Sequence, residues 1–419
     1  MKLSAFGEKF TANAGITSLM DDLGNAMSGD AEMVMMGGGN PGYIPAIHQR
    51  LKECMQQILD NDQDFHHLVG VYDPPQGEKS FISHLVRLLN NEFGWKLSER
   101  NIALTNGSQS AFFLLFNMFA GEGADGVDRV IQLPMAPEYI GYADAGLAPD
   151  FFHATRPVIQ QLDEHLFKYR VDFDKLSINE NTGAICVSRP TNPTGNVITD
   201  DELQTLDEMA RARQVPLIID GAYGTPFPNL IFSQATPCWN ENIILCLSLS
   251  KFGMPAARTG IVIAREDIIK ALSSVNAIVN LTTGSFGAML ARELVRTGEI
   301  LRLSNDVVRP FYQAKALHAQ NVLNRELKGY PFMLHKPEGA MFLWLWLPGL
   351  PVSSQALYER LKAEGVLVVS GHYFFPGLKD VWQHSQECIR ITYSQDDAVV
   401  ERGLMVLGSV VRGLYDALG

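Results

Sequence analysis

The chain has 419 residues, of which 46% are hydrophobic and 19% charged, a balance typical of a globular protein with more than one lobe. The formal net charge of −12 argues against a general nucleic-acid binder, and five scattered cysteines without a CxxC pair argue against structural zinc or a disulfide framework. No apolar stretch approaches the length of a membrane span and the N-terminus lacks the apolar core of a secretory signal, so we expect a cytoplasmic protein without a metal.

Short apolar runs alternate with helical patterns through the middle of the chain, which indicates a mainly parallel β-sheet flanked by helices. The first predicted strand, residues 101–105, leads through Gly107 into a helix over residues 110–120. A second helix begins at Thr199, where Glu202 three residues later can form a capping box, and it runs to about residue 213. Further strands are predicted at residues 129–133, 184–188, 216–220, 242–248 and 260–264.

The last third of the chain has the pattern of a smaller, mixed sheet with helices between and after its strands. Strands are predicted at residues 340–347, 365–370 and 388–393, and helices at about 353–364 and 396–418. We therefore predict a large α/β lobe over residues 50–305. A smaller α+β lobe would combine residues 1–49 with residues 306–419.

Polar clusters follow several predicted strands directly, and ligands of open α/β sheets collect at the carboxyl ends of strands. Gly107, Ser108 and Gln109 begin a helix whose free N–H groups favour a phosphate, although a plain turn and cap explains them equally well. Asn192 lies in an Asn-Pro-Thr-Gly segment, for which a proline-glycine turn is the structural alternative. Asp220 ends an apolar strand, where its carboxylate needs a partner or caps a helix.

Lys251 follows another buried strand and a turn that contains Ser248 and Ser250, and Arg258 comes seven residues later. A solvated surface lysine is the commonest alternative for such a residue. Two cations and two hydroxyls at one strand end, however, make an anion site and leave one amine for covalent chemistry.

One ordered set of residues along the chain resembles the motifs of fold-type I, aspartate-aminotransferase-like enzymes, which use pyridoxal 5'-phosphate (PLP). The set consists of Asn192-Pro-Thr-Gly, Asp220 with Tyr223, Ser248-x-Ser-Lys251, Arg258 and Arg390. The resemblance covers nearly the whole chain from Gly37 onward. The segments at residues 104–113, 136–146, 188–200 and 336–340 are similar to the bacterial branch of the family that exchanges an amino group between valine and pyruvate.

The resemblance implies a role for each matched residue. Lys251 would hold PLP covalently and act as the general base, and Asp220 would pair with the pyridine nitrogen. Asn192 and Tyr223 would hold the phenolic oxygen, and Tyr139 would stack on the ring, with core packing as its alternative. The PLP phosphate would be bound by Ser108, Gln109, Ser248 and Arg258, with Ser250 as a weaker member.

The resemblance also implies how substrate and subunits meet. Arg390, in an alternating strand where a surface arginine is the alternative, would bind the substrate α-carboxylate. Gly39, Asn40 and Asn192 would assist it. Tyr72 would reach the phosphate of a neighbouring subunit, so that activity would need a homodimer. The family often has a small residue at the position of Asp73, and the effect of this difference is open.

The side-chain pocket is less determined, because only family position suggests Ile16, Tyr43 and Ile44 as its lining. No second cation marks a site for a distal carboxylate, so we expect small neutral amino acids and 2-oxo acids as substrates, with valine and pyruvate foremost. A β-lyase, a decarboxylase or an aminotransferase of another preference on the same scaffold is the alternative. A regulatory sensor is disfavoured because Lys251 is retained, and a nicotinamide dehydrogenase because no GxGxxG follows the first strand.

Overall fold

The structure, a computed structural model, describes residues 2–11, 24 and 33–417, which fold into helices around mixed β-sheets. The strands are β1 (Val34–Met35), β2 (Ile102–Asn106), β3 (Gly121–Glu122), β4 (Asp128–Leu133), β5 (Phe152–Ala154), β6 (Val158–Gln161), β7 (Leu166–Arg170), β8 (Thr182–Ser188), β9 (Leu217–Asp220), β10 (Ile243–Ser248), β11 (Thr259–Ile263), β12 (Met333–His335), β13 (Phe342–Trp346), β14 (Val366–Leu367), β15 (Val369–Ser370) and β16 (Cys388–Thr392). The α-helices with both ends in the described ranges are α1 (Ala5–Thr11), α2 (Pro45–Leu59), α3 (Asp62–Gly70), α4 (Lys79–Phe93), α5 (Ser108–Phe119), α6 (Asp200–Ala212), α7 (Glu266–Asn280), α8 (Phe286–Arg296), α9 (Glu299–Leu303), α10 (Arg309–Glu326), α11 (Ser354–Ala363) and α12 (Asp397–Asp416).

The larger sheet has eight strands in the order β2-β11-β10-β9-β8-β4-β3, and β5 also pairs with β4. Strands β10, β9, β8, β4 and β5 are parallel to their partners in this series, whereas β11 is antiparallel to both of its neighbours. The predicted mainly parallel sheet is confirmed. Leu217 and Ile219 of β9 enter one apolar cluster and Ile218 enters another, because a central parallel strand is covered by helices on both faces.

The register of the central strands brings their polar ends together. Ser188 of β8 pairs with Asp220 of β9, and Asp220 pairs with Cys246 of β10. Ser248 of β10 lies opposite Gly260 of β11. Because β8, β9 and β10 are parallel, the segments that follow them emerge at one edge of the sheet, which is where such sheets bind ligands.

Two of the predicted helices begin with the local features that the sequence indicates. Helix α5 follows Gly107, whose φ of +85° favours glycine and whose missing Cβ leaves space for the guanidinium of Arg258. Helix α6 begins after Thr199, whose side chain accepts a hydrogen bond from the backbone N–H of Glu202 at 3.2 Å. The Glu202 carboxylate accepts in return from the Thr199 backbone N–H at 2.9 Å, which completes the capping box.

The smaller sheet has six strands in the order β15-β16-β13-β12-β7-β6. Its first four strands come from the last third of the chain, and β13, β15 and β16 lie in predicted segments. Strand β12 and the β6–β7 hairpin, which comes from the middle of the chain, were not predicted. Strand β6 has little local signal in the sequence because its side chains are mostly exposed. The division into lobes of residues 50–305 and of 1–49 with 306–419 remains a proposal, and this hairpin crosses it.

The strand predicted over residues 365–370 is two strands, and the single-strand prediction is wrong. Strand β14 pairs with β1 in a separate two-stranded sheet, whereas β15 pairs with β16. The chain passes between the two sheets at Val368. The backbone oxygen of Val368 lies so close to Gly37 that a Cβ on Gly37 would be 2.8 Å from this oxygen. Within the described ranges, none of the helices has both the length and the apolar character that a membrane span requires.

Candidate active site

A cavity of about 600 Å³ opens at the carboxyl edge of β8, β9 and β10. Apolar side chains, among them Met35, Phe112 and Ile140, form part of its wall. The sequence-predicted cofactor and substrate residues that line it are Gly39, Asn40, Ser108, Gln109, Tyr139, Asn192, Asp220, Tyr223, Ser248, Ser250, Lys251, Arg258 and Arg390. Residues from both sheets and from the N-terminal segment therefore meet at one site.

The amine of Lys251 is enclosed by the cavity. Its Nζ donates a hydrogen bond to the backbone oxygen of Gly39 at 2.6 Å and lies 5.2 Å from the ring centroid of Tyr223. Burial lowers the pKa of Lys251 to about 8, and the positive charges of Arg390 and Arg258 act in the same direction. About one amine in ten is therefore uncharged at pH 7, which is the form that acts as a nucleophile or base.

The carboxylate of Asp220 faces the cavity from the end of β9. It accepts a hydrogen bond from the Tyr142 hydroxyl at 2.6 Å and another from the backbone N–H of Ala222 at 2.9 Å. Burial raises the pKa of Asp220, and these two hydrogen bonds and the charge of Lys251 oppose the rise. The segment after Asp220 forms turns and no α-helix, so a helix cap does not explain this buried carboxylate.

The other end of the cavity is arranged for an anion. Helix α5 points its N-terminal N–H groups into it at Ser108 and Gln109, and the Arg258 guanidinium lies against the bare backbone of Gly107. Ser248 is buried beside it, and its hydroxyl accepts from the backbone N–H of Ser250 at 3.1 Å. A side chain on Gly107 would displace Arg258, so the cradle depends on glycine, and it fits a phosphate group.

Arg390 is a buried cation in the middle of β16, with 3% of its surface exposed, so the alternative of a surface arginine is excluded. Its guanidinium donates to Asn192 Oδ1 at 2.8 Å and to the Gly37 backbone oxygen at 2.6 Å, and its Nε has no partner. It lies 4.3 Å from the ring centroid of Phe342 and 5.1 Å from that of Phe374. Burial lowers its pKa to about 10. No acidic side chain in the described ranges pairs with it, which suits an anionic ligand.

Tyr139 serves the cavity and the core together. Its ring covers Gly141, where a Cβ would clash with it, and it meets the ring of Tyr142 edge-on at 5.5 Å. Tyr142 was not singled out from the sequence, although it carries the hydroxyl that binds Asp220. The one available signal was its position three residues after Tyr139 in an otherwise apolar segment.

Some predicted residues lie elsewhere or outside the description. Tyr72 does not line the cavity of the described chain and is 80% exposed. Ile16 falls outside the described residues, while Tyr43 is exposed, Ile44 is buried in the core, and neither lines the cavity. Asp73 accepts one hydrogen bond from the Ser285 hydroxyl, and its other carboxylate oxygen lies 3.0 Å from Nε2 of His67. It therefore connects α3 to the start of α8.

A reactive amine, a buried carboxylate, an anion cradle and a buried guanidinium around one cavity fit a PLP-dependent enzyme that acts on amino acids. The family model for aminotransferases of class I and II matches residues 36–407, and the chain belongs to this family. Enzymes of this family depend on PLP, and the predicted fold-type I class is confirmed.

Three relatives within the family are similar to this chain over nearly its whole length. The chain is 48% identical to the valine–pyruvate aminotransferase of Escherichia coli (strain K12) over 411 residues, which are 98% of each protein. The crystal structure of valine-pyruvate aminotransferase from Salmonella typhimurium LT2 has 46% identity, a TM-score of 0.88 and coverage of 96% of this chain and 100% of that one. A crystal structure from Psychrobacter arcticum 273-4 has 48% identity, a TM-score of 0.97 and 99% coverage of both chains.

Proposed function

We propose that this aminotransferase exchanges the amino group between L-valine and pyruvate, giving 3-methyl-2-oxobutanoate and L-alanine. The observation that carries the proposal is the 48% identity, over 98% of both chains, to the valine–pyruvate aminotransferase of Escherichia coli. The cavity supports it, because the cations that line it in the described chain are Lys251, Arg258 and Arg390. One of these would hold PLP, one its phosphate and one the α-carboxylate, which leaves none for a distal carboxylate.

We propose a role for each residue that lines the cavity, and its position there supports that role. PLP, when bound, supplies an electron-withdrawing ring that stabilises negative charge at the substrate Cα. Lys251 holds the cofactor and then moves the proton at that carbon, a task for which its lowered pKa suits it. Asp220 keeps the pyridine nitrogen protonated, and Asn192 and Tyr223 hold the phenolic oxygen. Tyr139 covers the ring face.

We propose that the cofactor phosphate and the substrate α-carboxylate bind to different cations of the cavity, Arg258 and Arg390. Arg390, with Gly39, Asn40 and Asn192, binds the α-carboxylate through its planar fork. Because Asn192 already accepts from Arg390 at 2.8 Å, its amide nitrogen is left to donate to the phenolic oxygen. The phosphate is bound by the cradle of Ser108, Gln109, Ser248 and Arg258, with Ser250 at its edge.

Substrate choice is the first test of this function. At one fixed 2-oxo acid, we expect kcat/KM for valine and alanine to exceed that for aspartate and glutamate by at least about tenfold. A distal carboxylate would lose its hydration against Met35, Phe112 or Ile140 without gaining a partner. Valine and alanine carry no distal charge, so neither bears this desolvation cost and both should be accepted.

The control for that measurement is Arg390→Lys, which should lower kcat/KM for all four amino acids together because it damages the contact that they share. A dicarboxylate that wins by tenfold would contradict the valine–pyruvate assignment. Release of ammonia and pyruvate as the main reaction would favour the β-lyase alternative.

We further propose that the enzyme acts as a homodimer in the cytoplasm. Apolar side chains are exposed at and after α3 and at the end of α7, including Tyr72 and, at 87% exposure, Ile278. These segments adjoin, because Asn276 donates to the Pro75 backbone oxygen at 2.7 Å. An exposed apolar surface of this kind is suited to a second copy of the chain. The free state of the five cysteines fits a reducing compartment.

A mixing experiment tests whether each site takes a residue from both subunits. Lys251→Ala and Tyr72→Phe, each poorly active alone, should together recover about a quarter of wild-type activity. At equal amounts about half of the dimers are hybrids, and one of the two sites in a hybrid has both native residues. Hybrid dimers, verified by differential tagging, that show no recovery would contradict a crossing Tyr72, as would a fully active monomer.

A further inference from the structure

A second carboxylic acid lies behind Asp220, out of reach of the cavity. Glu138 is fully buried, and its Oε1 accepts from the Ser188 backbone N–H at 2.9 Å. Its Oε2 lies 2.6 Å from the Ser188 hydroxyl and 3.3 Å from the Tyr139 backbone nitrogen. Neither Glu138 nor Ser188 lines the cavity of the described chain, so neither would touch cofactor or substrate.

Two polar side chains, Ser188 and Tyr142, connect the two acids. The Ser188 hydroxyl lies 3.5 Å from the Tyr142 hydroxyl, which donates to Asp220 Oδ2 at 2.6 Å. The pairing of Ser188 with Asp220 between β8 and β9 fixes this spacing. Glu138, Ser188, Tyr142 and Asp220 thus form one buried row, which we call the Glu138–Asp220 row.

The groups around the Glu138–Asp220 row stabilise one negative charge but not two. The titratable groups that face Glu138 are Asp220, Tyr142 and Cys186, and no ion pair reaches it within the described chain. Asp220, in contrast, receives two donated hydrogen bonds and has the charge of Lys251 nearby. An unpaired buried charge is costly, and two negative charges in one apolar region are more so.

We propose that Glu138 is a positioning residue that keeps its proton at neutral pH, so that the one negative charge of the row stays on Asp220. The proposal rests on the role proposed above for Asp220, which must be charged to hold the proton of the pyridine nitrogen. A protonated Glu138 donates to Ser188, which leaves the Ser188 hydroxyl to donate to Tyr142 and Tyr142 to Asp220. Every donor in the row then points toward Asp220, which favours its ionised form.

Infrared spectroscopy of the holoenzyme tests where the proton lies. At pH 6.5 we expect a C=O stretch of a buried protonated carboxyl group that is lost in Glu138→Gln and kept in Asp220→Asn. Glutamine is a matched change, because its amide reproduces the donor and acceptor of a protonated glutamate. Glu338→Gln is the control for removing a buried carboxylate elsewhere, since Glu338 is ion-paired with Lys168, and it should leave the band unchanged.

The pH dependence of stability gives a second readout. Burial raises the pKa of Glu138 to about 8, against the hydrogen bonds from Ser188. The folded protein therefore keeps a proton on Glu138 that the unfolded chain releases above the ordinary glutamate pKa of 4.5. The free energy of unfolding of the wild type thus decreases from about pH 4.5 to pH 8. The Tm of Glu138→Gln minus that of the wild type should increase across this range and level off above it.

The two variants distinguish a proton on Glu138 from a proton on Asp220. A band that survives in Glu138→Gln and disappears in Asp220→Asn would place the proton on Asp220 and overturn the proposal, as would a Tm difference that does not change with pH. If the glutamine variant does not fold, the wild-type band decides, because it should fade with a midpoint near pH 8. These readouts do not involve an amino-acid substrate, so failure of the valine–pyruvate assignment would leave them intact.

Discussion

Replacing Lys251 by alanine is expected to lower kcat by at least about 10³-fold for every amino acid tested. Loss of a general base alone costs roughly 10²–10⁴-fold, and this variant also loses the covalent attachment of PLP. The amine that disappears is the one that burial, Arg390 and Arg258 hold at a lowered pKa. Single-turnover kinetics with valine measure the effect directly, because they separate the chemical step from product release.

A matched control is Lys175→Ala, since Lys175 is an exposed lysine that pairs with Asp172 and does not line the cavity. It should retain wild-type kcat and spectrum. Borohydride reduction of the wild-type holoenzyme, followed by tryptic mapping, should place the phosphopyridoxyl group on Lys251. Recovery of the group on another lysine would contradict the assignment, whatever the rate of the alanine variant.

Asp220→Asn is expected to fold and to turn over about 10²–10³-fold more slowly. The amide keeps the shape of the side chain but removes the charge that faces the cavity, and its single oxygen can accept from only one of the two donors, Tyr142 and Ala222. An ion pair at 4 Å is worth about 4 kcal/mol at an effective dielectric constant near 20, and about 1.4 kcal/mol corresponds to a tenfold change in rate. Steady-state kinetics together with a titration of PLP affinity measure the change.

The corresponding control is Asp172→Asn, which removes a carboxylate of similar exposure that pairs with Lys175 at the surface. Its kcat should match the wild type. Near-normal turnover of Asp220→Asn, with native thermal stability, would mean that the carboxylate has only a structural role.

The sequence was sufficient to predict the elements that present the cofactor end of the site. The predicted strands at residues 216–220 and 242–248 are β9 and β10, because short, fully apolar runs are typical of strands buried on both faces. Asp220 and Lys251 come at the ends of such runs. Because the carboxyl ends of parallel strands meet at one edge of the sheet, we could expect the two residues to lie together without any knowledge of long-range contacts.

Contacts between distant segments could not be predicted from local patterns. Arg390 meets Asn192 across 198 residues of sequence, and family resemblance alone linked the two. The β6–β7 hairpin joins the smaller sheet because β7 pairs with β12, and its own composition does not indicate this. Glu138 resembles an ordinary polar residue in the sequence, because its contact with Ser188 spans 50 residues of chain.

The anchoring of Arg390 has a consequence for how one site serves two different substrates. Arginine carries about 2 kcal/mol of rotamer entropy, and here Asn192, Gly37 and the two flanking aromatic rings have already restricted that freedom during folding. An incoming carboxylate thus meets a preorganised fork and bears little of the ordering cost. An amino acid and a 2-oxo acid differ at Cα but share this carboxylate, so in the role proposed for Arg390 the same rigid contact would orient both substrates.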